Sequence, residues 1–534
     1  MIRLLFALTL LLFALLPSQA QYQLLQLNPA ETQWYQNGLL RDTHRVHTAI
    51  RPWRREDVSA YSRRGELLPD SLEKRKGIWP WVGRKLWHED FLRFSGENYE
   101  LTLNPVVDFR VGQDTEADFD YTYRNSRGAR IELALGDKVS AYSTLVETQA
   151  RLPLHVTEKS RELRIVPGYW LRKSFRANAF DFAYAAGEVA FTPNETFHFR
   201  LGHGKQFIGE GYRSMLISDN SINYPFFRIE TQFGRLKYIN TWAIMTDIRP
   251  SVTVGNVYGK KYLSMHYLSL NIGRRWNLAL FEGLMWGDEL NRYGFDPAFL
   301  NPVILYRPVE FAQGFAGGNV MMGLNSSYRL ADGLMLYGQV AMDEFTLSAV
   351  RNWSEGSWLN MFGGQIGAKY GDAFGFRNLF LQAEYNVARP HLYSHREAIT
   401  NWGHYNQPLA HPWGANFNEF LVRAEYRVGR WMFTGAAHLG SVGRDGPEEN
   451  WGGDIYKVHD TRSASTGVSV AQGVTGDIRY VRAELSYLFN PVYNLRLQAG
   501  YRSRRETSKT GGFPDSQYFY FGLRTNAYQM YQDF

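Results

Sequence analysis

The sequence predicts an all-β transmembrane fold: an up-and-down antiparallel outer-membrane β-barrel of about 18 strands with a small, partly helical periplasmic or plug segment at the N-terminus. Three observations carry this. Runs of about ten residues with alternating polar and apolar side chains fill the chain from Glu100 to Phe534. Very short and very long connectors take turns between them. Beyond the N-terminal leader no apolar run is long enough for a helical span, and the mean hydropathy is −0.37. Period-2 strands escape a hydropathy window because only alternate residues face lipid.

Taken in order, residues 1–20 read as a secretory signal. Arg3 supplies the positive end, Leu4 to Leu16 the apolar stretch, and Ser18-Gln19-Ala20 the small-residue cleavage site. The mature chain is expected to begin at Gln21, and no Cys follows to be lipidated. Residues 21–98 break the strand pattern: they are charged, helix-like over Asp70 to Lys76, and carry Trp79, Trp81 and Trp87. This segment is a small periplasmic domain or a plug, and the sequence leaves both open.

Residues 99–534 form the barrel. The clearest strand is 494–502, where Arg496, Gln498 and Arg502 alternate with Leu497, Ala499 and Tyr501. Equally clean are 516–526, 478–488, 418–428 and 379–387. Further strands are expected at 431–439, 364–370, 334–347, 319–330, 276–286, 262–272, 235–246, 226–233, 195–202, 180–191, 139–149, 129–135 and 99–111. Turns such as Gly136-Asp137-Lys138 and Ala331-Asp332-Gly333 alternate with long connectors such as 150–179, 203–225, 287–318 and 388–416, the asymmetry of periplasmic turns against external loops. Both termini then lie in the periplasm. The final strand is followed by a terminal aromatic, Phe534, similar to the signal read by the barrel-insertion machinery. That machinery and outer-membrane lipid are the expected partners of the fold.

Composition narrows function. A closed sheet needs no disulfides, and the chain has Cys 0. A net charge of +7 with both signs interspersed gives nucleic-acid binding little support. Aromatics at 15% fit the girdles that barrels place at both membrane interfaces.

Three long loops carry dense composition. In Gly202 to Asp219, Lys205, Glu210, Tyr212 and Arg213 are expected to constrict the lumen, with glycines permitting positive φ and Arg213 or Lys205 pairing with lumen carboxylates. In Asn301 to Phe311, Tyr306, Arg307 and Glu310 form a compact group that stacks on and hydrogen-bonds a sugar, or fixes the loop. In Tyr393 to Phe417, Tyr393, His395, His404, Tyr405, Asn406, Gln407 and Trp413 combine the planar hydrogen-bonding groups and rings that carbohydrate surfaces use. The histidines there have no Cys partners and no helical i, i+4 spacing, so no metal is expected. No Ser–His or acid–His spacing singles out a catalytic set, so no enzyme activity and no cofactor are expected.

These motifs, together with His266 to Glu282, closely resemble the capsule-assembly, Wzi-type outer-membrane proteins, in the branch that includes the gliding-motility protein RemB. The resemblance spans most of the barrel. It implies a cell-surface, lectin-like barrel in the outer membrane whose external loops hold extruded capsular or exopolysaccharide, with a periplasmic helical N-terminal part. The RemB-like branch implies a link to surface motility instead. A sugar-permeable diffusion porin is the alternative from another class, and an open polar lumen is what would distinguish it.

Overall fold

The computed structural model describes residues 24–41, 46–68, 78–287, 294–302, 318–343, 353–508, 511–528 and 530–534. The leader expected over 1–20 lies outside them. Antiparallel strands pair in sequence order, and the last pairs with the first, closing an 18-stranded barrel. The first six are β1 Tyr99–Asp114, β2 Thr122–Leu135, β3 Val139–Arg151, β4 Phe180–Phe191, β5 Phe197–Gly204 and β6 Tyr224–Phe233. Next come β7 Leu236–Asp247, β8 Gly259–Ile272, β9 Trp276–Gly287, β10 Asn319–Ala331, β11 Leu334–Met342 and β12 Phe362–Gly371. The wall ends with β13 Leu379–Ala388, β14 Phe417–Val428, β15 Trp431–Arg444, β16 Val474–Asn490, β17 Leu495–Glu506 and β18 Ser516–Arg524.

Alternation fixes which side chains face out. On β16 to β18, Val481, Leu485, Phe519 and Phe521 are exposed on the outer wall, while Arg496, Gln498, Arg502 and Arg504 are buried within. Rings crowd the short-turn rim on the outside, among them Trp276, Trp431, Phe233 and Phe374. Inside, opposite charges pair in cross-strand ladders. The Arg200 guanidinium on β5 meets Glu188 on β4 at 2.5 Å and Glu230 on β6 at 3.2 Å.

Residues 24–41 and 46–68 of the N-terminal segment sit in the short-turn mouth. Helix α1, Pro29–Arg41, starts where Asn28 Oδ1 accepts the Ala30 N–H at 3.0 Å. It buries Trp34 and Tyr35, and its partners lie on the short turns. Trp34 Nε1 donates to Asn494 Oδ1 at 3.2 Å, Gly333 N donates to Leu40 O at 3.1 Å, and Arg41 pairs with Asp372 at 2.8 Å. The chain then runs deeper, where Ile50–Arg51 pairs in register with Phe207–Ile208. Helix α2, Ile78–Trp87, lies outside the mouth. Beyond it Leu92–Ser95 pairs with Glu100–Leu103 of β1, so the wall begins before residue 99.

The structure changes several expected limits. The strand expected at 129–135 begins at Thr122, because polar Tyr123, Asn125 and Arg127 stand on its outer face and hide the alternation. The strand expected at 334–347 ends at Met342, and 344–350 lie outside the described residues.

The C-terminus differs most. Strand β18 stops at Arg524, two residues short of the expected 526. Thr525 Oγ1 accepts Val107 N at 2.9 Å and donates to Pro105 O at 3.0 Å, and the chain turns inward there. Residues 525–528 and 530–534 then climb through the lumen. Tyr528 stacks on Tyr184 with ring centroids 5.3 Å apart, Tyr531 OH donates to Asp219 Oδ1 at 2.7 Å, and Arg504 Nε donates to Phe534 O at 2.6 Å near the long-loop end. Phe534 therefore ends a luminal tail rather than the last strand, and the C-terminus lies at the barrel end opposite the N-terminal plug.

Candidate functional site in the loops

The loop between β5 and β6, residues 205–223, folds into the barrel because its glycines let backbone approach the wall. At Gly209, with φ +142, a Cβ would stand 2.5 Å from the Gln339 side chain, and at Gly211 one would stand 2.6 Å from Glu384. Tyr212 N and Arg213 N both donate to Glu384 on β13, at 2.8 and 3.1 Å. The Arg213 side chain is a buried hub: it donates to Glu419 on β14 at 2.9 Å, to the Asp533 carboxylate at 3.3 Å and to Asp533 O at 2.9 Å. Burial disfavours its charge, but Asp533 and Glu419 outweigh that and hold the guanidinium well above its ordinary pKa. Tyr212 OH donates to Asp533 at 2.8 Å.

Lys205 and Glu210 complete the constriction set differently. Lys205 Nζ caps two carbonyls, Gly168 O at 2.7 Å and Asp219 O at 3.2 Å, instead of meeting a carboxylate. Burial pulls its pKa down to about 7 against the attraction of Asp219. Glu210 pairs with Lys369 on β12 at 2.9 Å and accepts the Thr48 hydroxyl of the plug.

The loop between β13 and β14, residues 389–416, interlocks with the first. Tyr393 OH donates to Met215 O at 2.8 Å and Trp402 Nε1 to Leu216 O at 2.9 Å. Gln407 Oε1 accepts Gly168 N at 3.0 Å, and Trp413 Nε1 donates to Asp533 O at 3.3 Å. His411 Nε2 meets Glu419 at 2.8 Å, His404 Nδ1 accepts Thr246 N at 2.8 Å, and His395 Nδ1 sits 2.6 Å from Thr400 Oγ1. Burial lowers His395 and His404 to about 3 and His391 and His411 to about 4, so all four are neutral at pH 7.

This corrects the expectation that the loop displays these residues on an outer face. Tyr393, His395, His404, Gln407 and Trp413 are buried, spent on holding backbone and wall, and only Tyr405 and Asn406 are half-exposed. Asn406 Nδ2 itself donates to Leu163 O at 3.2 Å. Tyr306, Arg307 and Glu310 lie outside the described residues. The adjoining part of their loop is bound to the outer wall: Trp242 Nε1 and Ser264 Oγ both donate to Phe299 O at 2.9 Å. Among the described residues no group of three or more His, Asp or Glu is placed to hold a metal ion.

Rings available at the long-loop end are, Tyr405 apart, ones no sequence motif singled out. Trp358 is half-buried, with Arg462 4.0 Å over its ring and His459 5.0 Å away edge-on. Arg151 lies among Phe119, Tyr121 and Tyr123 at 5.6, 5.0 and 5.9 Å. Trp170 and Tyr405 face one another at 5.8 Å and 37°. A ring beside a guanidinium or imidazole presents an apolar face with hydrogen-bond donors at its edge, the pairing that suits a sugar ring. Each cluster joins residues from different parts of the chain, apart from the Phe119-to-Tyr123 run, whose density of aromatics was the one signal available in sequence.

No protein family matches the chain by sequence pattern, and no curated protein matches it in sequence. A solved structure similar to it is Wzi, an outer-membrane protein involved in group 1 capsule assembly in Escherichia coli, described as a carbohydrate-binding β-barrel. The TM-score is 0.55 at 10% identity, covering 95% of this chain and 100% of that one. OprD of Pseudomonas aeruginosa aligns with a TM-score of 0.42 at 11% identity, over 79% of this chain and 94% of that one. The likeness to Wzi shows the fold, an outer-membrane β-barrel with a helical N-terminal part.

Proposed function

We propose that this barrel binds and anchors a surface polysaccharide at its long-loop face, lectin-like and without chemistry, with its short turns and N-terminal plug in the periplasm. The carrying observation is the obstructed lumen. Plug, two inward loops and C-terminal tail bond to one another along the barrel axis, from Trp34 at one mouth to Phe534 at the other. A diffusion porin needs a continuous polar path, and this interior supports the anchoring reading over it. The half-exposed Trp358, Tyr121 and Tyr405 then offer the sugar-facing rings. The carbohydrate-binding description of Wzi agrees with this reading. A role in surface motility rests on the motif resemblance to the RemB branch alone.

Two measurements test the proposal. Purified protein in planar bilayers is expected to show no large, stable unit conductance, and a deletion strain is expected to shed polysaccharide into the medium. Steady channels together with unchanged polysaccharide retention would return the porin reading.

A further inference from the structure

Helix α2 carries an apolar stripe that the described residues leave largely uncovered. Ile78, Val82 and Leu86 recur at i, i+4 and i+8, with Trp79 beside them, so four large side chains line one face. Ile78 is 73% exposed and Trp79 81%. A monomeric protein rarely leaves such a patch to water.

The C-terminal end of the helix is fixed to the barrel's exterior. Trp87 packs edge-on against Phe489 at 5.4 Å, and Phe489 follows the outward-facing sequence Val481, Leu485, Tyr487 on β16. Asn490 Nδ2 donates to Lys85 O at 2.7 Å and to Glu89 O at 2.9 Å, and Tyr493 OH donates to Lys85 O at 2.7 Å. The helix is therefore clamped to the β16–β17 turn on the lipid side of the rim. Its neighbours continue the same surface. Trp81 meets Phe91 at 6.4 Å, and Phe94, opposite Leu101 of β1, is exposed on the outer wall.

We infer that α2 lies in the membrane interface at the short-turn rim, its Ile78–Trp79–Val82–Leu86 stripe set into the boundary between lipid headgroups and acyl chains. Continuity decides the occupant. The stripe extends the ring of outward-facing Trp431, Tyr487 and Phe489, and that ring already marks where hydrocarbon ends. Trp79 and Trp81 suit that depth, where an indole keeps its ring in an apolar medium and its N–H in a wet one. The polar flank agrees: Arg84 and Lys85 both pair with Glu89 at the C-terminal end, at 3.1 and 2.8 Å, on the water side of the stripe. The chain thus grips the bilayer with an in-plane helix as well as its wall.

The chain's lack of cysteine makes the test direct. Full-length protein carrying Ile78→Cys, Trp79→Cys or, as an aqueous control, Asp137→Cys would be reconstituted in phospholipid vesicles and spin-labelled. Collision of the label with oxygen, which concentrates in lipid, would be compared with collision with a water-soluble nickel chelate. Labels at 78 and 79 are expected to be relaxed chiefly by oxygen, and the label at 137 chiefly by the chelate. Chelate-dominated relaxation at 78 and 79 would overturn the inference. So would shielding from both reagents, which would mean that a protein surface covers the stripe.

Discussion

The Arg213 guanidinium and the Asp533 carboxylate lie 3.3 Å apart inside the barrel, so a loop residue holds the chain one position from its end. Asp533 is held low, at about 2, because Arg213 and then His438 outweigh the burial that favours its neutral form. The pair fastens the C-terminal tail to the inward loop. Glu419 joins both to the wall at 2.9 Å from Arg213.

Arg213→Ala is expected to loosen the whole loop assembly. It leaves the buried carboxylates of Glu419 and Asp533 without their cation, a loss of about 3–5 kcal/mol for a broken buried pair. The wall's own ladder is untouched, so the variant should still insert and still migrate faster unheated than boiled. Bilayer recordings should show flickering conductance absent from the parent. A silent, fully closed variant would show that the hub is redundant.

Ending the chain after Arg524 tests the tail separately. Strand β18 and its pairing with β1 stay intact, while Tyr528, Tyr531, Asp533 and Phe534 leave the lumen together. Open conductance with normal heat-modifiability is expected. Failure to insert would instead give the tail a role in assembly.

Acid should undock the loop between β13 and β14. The folded-state pKa values of His395 and His404, about 3, and of His391 and His411, about 4, lie below the ordinary 6.5. The undocked loop therefore takes up protons first. Docking loses stability as pH falls through 6.5 toward 4, by about 1.4 kcal/mol per histidine per pH unit. Protease clipping within 389–416 should rise reversibly over that window. Clipping that is flat with pH would mean that these rings stay buried and neutral with no energetic consequence.

Sidedness is testable with introduced thiols. Lys173 is exposed on the β3–β4 loop and Asp332 on the β10–β11 turn. Lys173→Cys should react with an impermeant maleimide on intact cells and Asp332→Cys should not. The reverse result would invert the membrane orientation. Asn401 is buried among the loops, where Lys261 Nζ bonds it at 2.7 Å, and is unsuited to this use.

The wall was legible because alternation is local: Arg496 and Gln498 against Leu497 and Ala499 declare inside and outside within a single strand. The tail was not. Asn526 to Phe534 continues the polar and aromatic texture of β18, and only the bonds of Tyr531 to Asp219 and of Arg504 to Phe534, distant in sequence, turn it inward. The same limit governs the loops. A His, Trp or Asn has one composition whether its partner is a sugar hydroxyl or Glu419, and His411 meets Glu419 only once β14 is placed.

That distinction separates two kinds of aromatic substitution. Trp413 is nearly buried, packed against Phe417 at 5.7 Å and bonded to the tail through Asp533 O. Trp413→Ala should cost about 3–5 kcal/mol locally and open the lumen, whatever it does to polysaccharide. Trp358 holds Arg462 over its ring at the loop face, and Arg462 bonds to Ser465 and His459 of its own loop. Each ring or hydrogen-bond contact to a sugar contributes about 1 kcal/mol. Trp358→Ala combined with Tyr121→Ala and Tyr405→Ala should then release polysaccharide from cells while insertion, heat shift and closure stay normal. Retention at parental levels by a closed, correctly inserted triple variant would remove these rings from the binding surface and move the search to the loop that carries Tyr306, Arg307 and Glu310.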